Sequence, residues 1–409
     1  MPTDLDIIKQ LEQSTGKTLP SLDEFRFSWD SVGYVQNAHD QITALGLHRC
    51  GLTEIPPEIC NLQNLTTLYL YQNQLSELPP AIGQLQNLTS LNLRENQLSK
   101  LPPEIGQLQN LNWLNLERNR LSELPPSICN LPNLNWLVLR ENQLSELPAS
   151  IGKLQNLTDL ALDGNSLSEL QPEIGQLQNL TTLWLERNQL SQLPPEIGQL
   201  QNLTTLSLTR NQLSHLPPEI GQLQNLAWLF LQKNRLSELP PEIGQLQNLT
   251  KFSVYGNALS KLPPELGQLQ SLTHLSLHSN PLGELPSSIG QLQNLTELFL
   301  IDSQFRELPP EIGQLHNLKK LVLDGNPLSE LPASFGQLQN LTGLSLAGNE
   351  FTHFPKVLLA LNLEVKWGHY WEDGIHIDGN PFQTPPEEIV KQGRQAIIDY
   401  YAALEEQLA

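Results

Sequence analysis

The sequence predicts an α/β solenoid in which short parallel strands stack into one sheet, and two repeated segments carry this prediction. The first is LTTLYLYQNQL at 65–75, whose leading leucine returns every 23 residues up to Leu341. The second is a proline-rich segment such as LSELPPEIGQLQN at 236–248, which follows the first in most units. One short strand cannot bury its apolar face alone, so successive copies must stack and share a continuous core.

The spacing of the leucines predicts which side chains face that core. In the unit at 65, Leu68 and Leu70 point to one face of a short strand, about Thr67 to Tyr69, and the residues between them point to the other face. An asparagine follows each strand (Asn73 here), and we call this residue the ladder Asn. Its amide can satisfy turn backbone groups and bridge neighbouring coils. The proline pair fixes φ and removes N–H donors, which favours an extended or 3₁₀ second arm.

Degenerate units extend the array at both ends. They begin at Ile42 and Ile375, which gives about 15 repeats of 23 residues with the form LxxLxLxxNxL. This pattern resembles the leucine-rich repeat, whose signature is specific at this copy number. The resemblance implies a leucine-rich-repeat solenoid of horseshoe or arc form, with the parallel β-sheet on its concave face and a short 3₁₀ or extended convex arm.

Composition restricts the classes of partner. The formal net charge is −20 and the pI is about 4.8, which disfavours a nucleic-acid groove or an anionic membrane surface. The sequence shows neither a run of 18 apolar residues nor the pattern of a signal peptide. Cys60 and Cys129 occupy the same place three coils apart, too far to bridge, and a third cysteine is Cys50. We therefore expect a reducing, cytoplasmic location.

The amino-terminal part, 1–41, is predicted to be a cap that covers the open end of the first coil, ahead of the repeats at 42–382. Residues 3–15 have the apolar spacing of a short helix, with Thr3 or Asp4 as its N-cap. Exposed solenoid ends behave as unpaired sheet edges, so a cap is needed. Its apolar residues are Leu5, Ile8, Leu11, Leu19, Leu22, Phe25, Phe27, Trp29, Tyr34 and Val35.

The carboxyl end departs from the repeat. The last repeat, 356–382, is irregular, and alternating apolar residues at 361–367 predict a strand. A helix or linker is predicted at 383–409, with Thr384 as N-cap and Glu387 at the capping-box position. Gly393 lies on its apolar stripe, where something can approach closely. The stripe consists of Ile389, Ile397, Tyr400, Leu404 and Leu408.

Two segments resemble chemical sites but lack essential parts. STGKT at 14–18 has the tail of a phosphate-binding loop without its first glycine or preceding strand, so a helix end at Gly16 is the better interpretation. His369, Glu372, Asp373 and His376 do not match a strong metal-ligand spacing, and a polar loop is favoured. We expect no enzyme activity, no catalytic residues, no cofactor and no metal.

The strand positions that leave the core vary most between units and carry four of the seven tryptophans. Outward Trp, Tyr and Arg on one face are typical of protein-binding hot regions. The alternative is cross-strand aromatic packing that only stabilises the sheet. We expect a partner with an acidic, partly apolar surface. The predicted partner-binding residues are Tyr69, Tyr71, Arg94, Trp113, Arg118, Trp136, Arg140, Trp184, Arg187, Arg210, Trp228, Phe230 and Tyr255.

The unit at 295 breaks the ladder, because Ser303 stands where the ladder Asn is expected. We expect its turn to be less well satisfied, so that Ser303→Asn raises stability. A weak joint, a contact point and sequence drift remain open as explanations.

Two stretches resemble a more specific family. LEVKW followed by DGIHIDGNPFQTPPEEIVKQGRQAIIDYY is similar to the junction after the leucine-rich repeats of prokaryotic Roco proteins, and YVQNAHDQITALGL resembles their amino-terminal part. In that family the junction leads into a Roc GTPase and a COR dimerisation module. No GxxxxGK[ST] occurs in this chain, so GTPase activity is not carried over.

The resemblance implies a non-enzymatic interaction scaffold that regulates an attached GTPase or recruits partners. The expected partner is a protein, either an attached or separate GTPase portion or another intracellular protein. The alternative is a free-standing intracellular leucine-rich-repeat adaptor or receptor. The coding sequence beyond Ala409 in the full gene distinguishes these two possibilities.

Overall fold

The computed structural model describes residues 3–24, 28, 31–368 and 373–408. The chain divides into two compact units, Met1–Leu206 and Ser207–Ala409, called here the first and the second unit. Each unit is a solenoid of leucine-rich repeats, which confirms the predicted fold class.

The first unit consists of one helix and a row of short strands. The helix α1 spans Asp4–Thr15. The strands are β1 (Gly33–Gln36), β2 (Ile42–Gly46), β3 (Thr67–Tyr69), β4 (Ser90–Asn92), β5 (Trp113–Asn115), β6 (Trp136–Val138), β7 (Asp159–Ala161) and β8 (Thr182–Trp184), and β9 (Thr205–Ser207) lies at the boundary in the chain. Its 3₁₀ helices are Pro57–Asn61, Pro80–Gln84, Pro103–Gln107, Pro126–Asn130, Ile151–Lys153, Pro172–Gln176 and Pro195–Gln199.

Parallel pairing in the first unit keeps the 23-residue register without slips. Leu68 on β3 pairs with Leu91 on β4, and Leu91 pairs with Leu114 on β5, so the core leucines form one column. All three are fully buried. Because the register is constant, the outward residues also form columns, and these columns are the candidate binding surface.

A helix and an antiparallel strand precede the parallel strands of this sheet. Strand β1 pairs with β2 in antiparallel orientation, unlike the parallel strands after it. The helix α1 begins at Thr3, one of the two predicted N-caps, and Gly16 ends it in the left-handed conformation, as expected. Thr3 and Asp6 also form a capping box. Its buried residues are Ile7, Ile8 and Leu11, whereas Leu5 is only half-buried. The predicted cap residues Phe25, Phe27 and Trp29 lie outside the described residues.

The second unit repeats the same coil and ends in two helices. Its strands are β10 (Trp228–Phe230), β11 (Lys251–Ser253), β12 (His274–Ser276), β13 (Glu297–Phe299), β14 (Lys320–Val322), β15 (Gly343–Ser345), β16 (Val365–Lys366) and β17 (Gly374–His376). The helices are α2 (Glu387–Val390) and α3 (Arg394–Leu408). The 3₁₀ helices are Pro218–Gln222, Pro241–Gln245, Pro264–Gln268, Ser287–Gln291, Pro310–Gln314, Ala333–Gln337 and Lys356–Ala360.

The carboxyl end differs from the sequence-based prediction in three details. The predicted strand at 361–367 is reduced to β16, which pairs with β17. The cap of α2 is Pro386, not Thr384, because the Thr384 backbone is engaged with Thr352 and Phe354. Tyr401, not Tyr400, is buried, and its hydroxyl donates to the Phe354 carbonyl at 3.2 Å.

The ladder Asn residues work as predicted in both units. In the first unit, the Asn188 amide donates to the carbonyls of Leu162 at 3.0 Å and Leu185 at 3.1 Å. Its oxygen accepts the N–H of Leu167 at 3.1 Å. One buried side chain thus joins its own turn to the preceding coil, which removes polar groups that would otherwise be buried unpaired.

The Ser303 coil does not leave its turn unsatisfied, contrary to the sequence-based expectation. The Ser303 hydroxyl donates to the Ile301 carbonyl at 3.0 Å, and its backbone N–H donates to the Asn326 oxygen at 3.0 Å. In the preceding coil, the Leu282 N–H, which would otherwise use a ladder Asn, donates to the Asn280 carbonyl at 2.8 Å. Ser303 is fully buried, so the site has closed around the smaller residue.

Candidate partner-binding faces

The predicted binding residues lie on the outward side of the strands or in the turn after them, and they divide between the two units. We call the outward side chains of the coils at 65–187 the first-unit face. It contains Tyr69, Tyr71, Arg94, Trp113, Arg118, Trp136, Arg140, Trp184 and Arg187; the second unit contains Arg210, Trp228, Phe230 and Tyr255.

Two tryptophans form the centre of the first-unit face. Trp113 and Trp136 are register partners on β5 and β6. Trp136 is 48% exposed, the largest exposed fraction among the large hydrophobic residues that the structure describes. Its indole N–H donates to the Asp159 carboxylate on the next strand, which fixes the ring while leaving its face open. An exposed aromatic ring held in one position is well suited to bury against a partner.

Not every predicted residue is available to a partner. Tyr71 is 9% exposed and stacks on His48 with ring centroids 4.7 Å apart. Tyr69 packs edge-on against Trp113 at 6.3 Å. Part of the aromatic set therefore stabilises the sheet by cross-strand packing, as the alternative interpretation proposed.

Arg94 and Arg118 of the first-unit face are engaged by carboxylates of their own and neighbouring coils. Arg118 contacts Glu141 at 2.8 Å and Glu95 at 3.0 Å, and Arg94 contacts Glu95 at 2.9 Å and Glu117 at 3.4 Å. Each such exposed pair contributes little to stability. Together they hold long side chains in one arrangement and reduce the positive potential that an acidic partner would meet.

The pKa values on this face follow from these contacts. A hydrogen bond from Gln72 and another from Arg118 lower the pKa of Glu95, and a hydrogen bond from Arg118 lowers that of Glu141. The same contacts raise the pKa of the Arg118 guanidinium, chiefly through Glu141. All of these groups stay charged near neutral pH, so the network is permanent there.

Arg140 joins an aspartate to the last tryptophan of the first unit. Its guanidinium lies 5.5 Å from the centre of the Trp184 ring and contacts Asp163 at 2.6 Å. Burial raises the pKa of Asp163 despite that contact. The carboxylate is therefore held at an energetic cost, which is common at functional surfaces but also occurs in structural networks.

The second unit has a different arrangement around Trp228, which is 39% exposed. The Lys251 ammonium lies 4.5 Å above the Trp228 ring, and Phe230 packs beside it with centroids 6.4 Å apart. Tyr255 stacks on His278 at 4.1 Å. The Ser276 hydroxyl lies 2.9 Å from the His278 Nδ1, and burial lowers the pKa of this histidine.

Sequence reasoning missed one conformational feature, which concerns the residue before each ladder position. It adopts the left-handed conformation in every coil of both units, with φ between 50° and 71°. Arg118 (φ 54°) and Lys233 (φ 56°) are examples. The signal was present, because glycine occupies this place at Gly164, Gly256, Gly325, Gly348 and Gly379. Arginine and lysine there are strained relative to glycine.

The described part of the chain bears on two further properties, metal binding and membrane insertion. It contains no group of three His, Cys, Asp or Glu side chains that could hold a metal ion. In the polar loop considered as a metal site, His369 and Glu372 lie outside the described residues, and His376 is buried. None of the described helices has the length and apolar composition that a bilayer span requires.

Comparison with known proteins agrees with the repeat pattern. Family models match residues 87–180 and 174–255 as a leucine-rich repeat region, and 40–98, 271–292 and 293–351 as leucine-rich repeats. Nothing among the curated proteins matches. A solved leucine-rich-repeat protein of Leptospira interrogans is 39% identical, with a TM-score of 0.76 over 85% of this chain and 93% of that one.

Two solved receptors are also similar. A TDR receptor is 30% identical, with a TM-score of 0.71 over 86% of this chain and 66% of that one. The Arabidopsis receptor kinase HAESA, solved with the peptide hormone IDA and a co-receptor, is 26% identical, with a TM-score of 0.64 over 92% and 70%. Repeat pattern, fold and sequence identity agree, and the chain belongs to the leucine-rich-repeat proteins.

Proposed function

We propose that the chain is a non-enzymatic protein-binding scaffold and that the first-unit face is its working surface. The observation that carries this proposal is Trp136, a large aromatic residue 48% exposed at the centre of ordered side chains. Leaving such a ring in water is unfavourable, and a partner that covers it gains the burial energy. Leucine-rich-repeat proteins generally act in protein–protein interaction, and the similar receptor HAESA was solved with a peptide hormone.

The finer proposal is that the chain is the regulatory module of a Roco-type GTPase in the cytoplasm. Its support is the sequence of the junction after the repeats, which here folds as β17, α2 and α3. We retain the division into a cap at 1–41, repeats at 42–382 and a helical linker at 383–409. The reading frame after codon 409 tests this proposal, because a Roc-type phosphate-binding loop there supports it and a stop codon favours a free-standing adaptor.

The binding proposal is tested by covalent capture followed by titration. A photo-reactive phenylalanine analogue replaces Trp136 in the source cells, and the same analogue at the exposed Glu123, on the loop before a 3₁₀ helix, is the matched control. A protein captured only from position 136 is then purified and titrated by calorimetry. We expect Trp136→Ala and Trp184→Ala each to weaken binding by more than about 2 kcal/mol, with Glu123→Ala unchanged.

Thermal melts of the same variants separate recognition from packing. Neither tryptophan belongs to the leucine core, so the melting temperature should change little. Unchanged affinity together with a large fall in melting temperature would mean that the aromatics are cross-strand packing and that the partner binds elsewhere.

A further inference from the structure

We propose that the second unit carries a separate docking surface for an acidic peptide segment of a partner protein. The surface is the 228–278 patch, formed by the outward side chains of three consecutive coils: Trp228, Phe230, Lys233, Lys251, Tyr255 and His278. This proposal is independent of the function proposed for the first-unit face, because it concerns residues of the other unit.

The patch has an aromatic floor with two edges. Trp228 and Phe230 form one edge, and their rings are tilted by 56° at 6.4 Å. Tyr255 and His278 form the other edge as a stack with an interplanar angle of 14°. Rings packed against one another lose little side-chain freedom on binding, so they are suited to bury an apolar side chain of a ligand.

Charge distinguishes this patch from the rest of the chain. The outward positions of these three coils hold no aspartate or glutamate. These positions are 228, 230, 232, 233, 251, 253, 255, 256, 274, 276, 278 and 279. Lys233 and Lys251 stand among them, and carboxylates return only in the next coil, at Glu297 and Asp302. Since the whole chain has a net charge of −20, a local region with only cations attracts acidic groups against the overall field.

The two lysines are placed to receive carboxylates on either side of a bound apolar residue. Lys251 lies above Trp228, so its ammonium is held at the aromatic edge. Lys233 is exposed in the left-handed conformation that other coils give to glycine. The charge of Lys233 also acts on His278, so this lysine borders the aromatic floor of the patch.

The size of the patch indicates a short linear segment. Three neighbouring strands span about 10 Å, and an extended peptide advances about 3.3 Å per residue. About three residues therefore span the three strands, and one more at each end reaches the margins of the patch. The bound segment is then about five residues, with an apolar side chain on the aromatic floor and acidic residues around it. A nucleic-acid strand fits less well, because it presents a phosphate at every nucleotide and the strongly acidic chain offers few fixed cations here.

A random dodecapeptide display library tests the charge preference directly. It is selected on the purified full chain and counter-selected on a Lys251→Glu variant. Non-specific attraction to a chain of this net charge favours basic peptides. The proposal expects the opposite: peptides enriched in aspartate and glutamate around an aromatic or aliphatic residue. Basic peptides, or none that survive counter-selection, would overturn it.

Titration of the best selected peptide locates its site. Fluorescence anisotropy should show at least tenfold weaker binding to Lys251→Glu and to Trp228→Ala. The matched control is Lys261→Glu, which makes the same charge change at an exposed residue before a 3₁₀ helix of the second unit; it should bind as the wild type does. If Lys251→Glu and Lys261→Glu weaken peptide binding equally, the loss of affinity reflects the overall charge of the chain. The proposed docking surface would then be wrong.

Two further binding measurements and a folding control complete the test. Trp136→Ala should leave the selected peptide's affinity unchanged, since the first-unit face is a different surface. If an equimolar thymidine dodecanucleotide displaces that peptide, the patch binds single-stranded nucleic acid as well as it binds the peptide. That result would overturn the proposal of a peptide site. Circular dichroism of each variant establishes that it is folded before its affinity is compared.

Discussion

The strand faces of the two units differ although the same coil builds both. On the first-unit face, Arg118 lies between Glu95 and Glu141 of the adjacent coils. In the 228–278 patch, Lys233 and Lys251 occupy outward positions in coils that place no carboxylate beside them. The constant register supplies identical columns, and the residues in those columns decide whether cations are neutralised within the protein or left for a ligand.

This difference shows how a repeat protein separates stability from recognition. The leucines and the ladder Asn stabilise every coil, while the outward columns are free to vary without touching the core. The comparison therefore depends on two assumptions that experiments can test. The first is that the ladder Asn residues stabilise both units equally well. The second is that the cations in the left-handed conformation, such as Arg118 and Lys233, are retained for binding.

The largest effect is expected from removing a ladder Asn. Asn188→Ala in the first unit should lower the free energy of unfolding by about 1–3 kcal/mol, because buried carbonyls and one N–H lose their partner. Asn326→Ala in the second unit should lower it at least as much, since its oxygen accepts two N–H groups, from Ser303 and Phe305. Urea unfolding measures both.

The result that would break the comparison is a markedly smaller loss for Asn326→Ala. The coils of the second unit would then be stabilised by interactions other than the ladder Asn. The outward side chains of the two units could then no longer be compared as different residues on the same scaffold. Hydrogen exchange of the altered coil shows whether the loss is local or global.

A second prediction concerns the coil in which the ladder is interrupted. Ser303→Asn should lower stability by about 1–3 kcal/mol, because the larger side chain enters a fully buried site that has closed around serine. Thermal melts decide the sign. A higher midpoint would show that the coil keeps room for asparagine and that the sequence-based expectation was sound.

Ser303 illustrates what the sequence could and could not predict. The leucine columns, the ladder and the helix capped by Thr3 follow from local patterns, and the structure confirms them. The satisfaction of the Ser303 turn could not be predicted, because it depends on Asn326 of the following coil and on the backbone of the preceding coil. The ion pairs of Arg118 and the stacking of Tyr71 on His48 likewise join residues 23 positions apart, in rotamers that the pattern does not specify.

The next prediction uses the strained position before the ladder. Lys233→Gly should raise the free energy of unfolding by about 0.5–1 kcal/mol, because glycine relieves the left-handed strain but has more freedom to lose on folding. Arg118→Gly relieves the same strain but also loses its contacts with Glu95 and Glu141, so its net change should be near zero. A gain from Arg118→Gly equal to that from Lys233→Gly would mean that the first-unit ion pairs contribute nothing.

The smallest effect is expected from acid, and it concerns His278 in the 228–278 patch. Burial is the main reason why its pKa lies below the ordinary value of 6.5; the charge of Lys233 lowers it further, and Asp302 opposes the shift. The unfolded chain therefore binds a proton at a higher pH than the folded chain does. His278 contributes no penalty well above pH 6.5, and stability is lost as the pH falls below that value toward the folded pKa.

The measurement compares melting midpoints of wild type and His278→Gln from pH 7.5 to 5.5. Glutamine keeps a polar side chain at this position but does not titrate in this range. The wild-type midpoint should therefore fall further than that of the variant. Acid should also strengthen binding of the selected acidic peptide, since a protonated His278 adds a cation to the patch while folding weakens. Parallel curves for the two proteins would mean that His278 titrates alike in the folded and unfolded chains, and that burial does not depress its pKa.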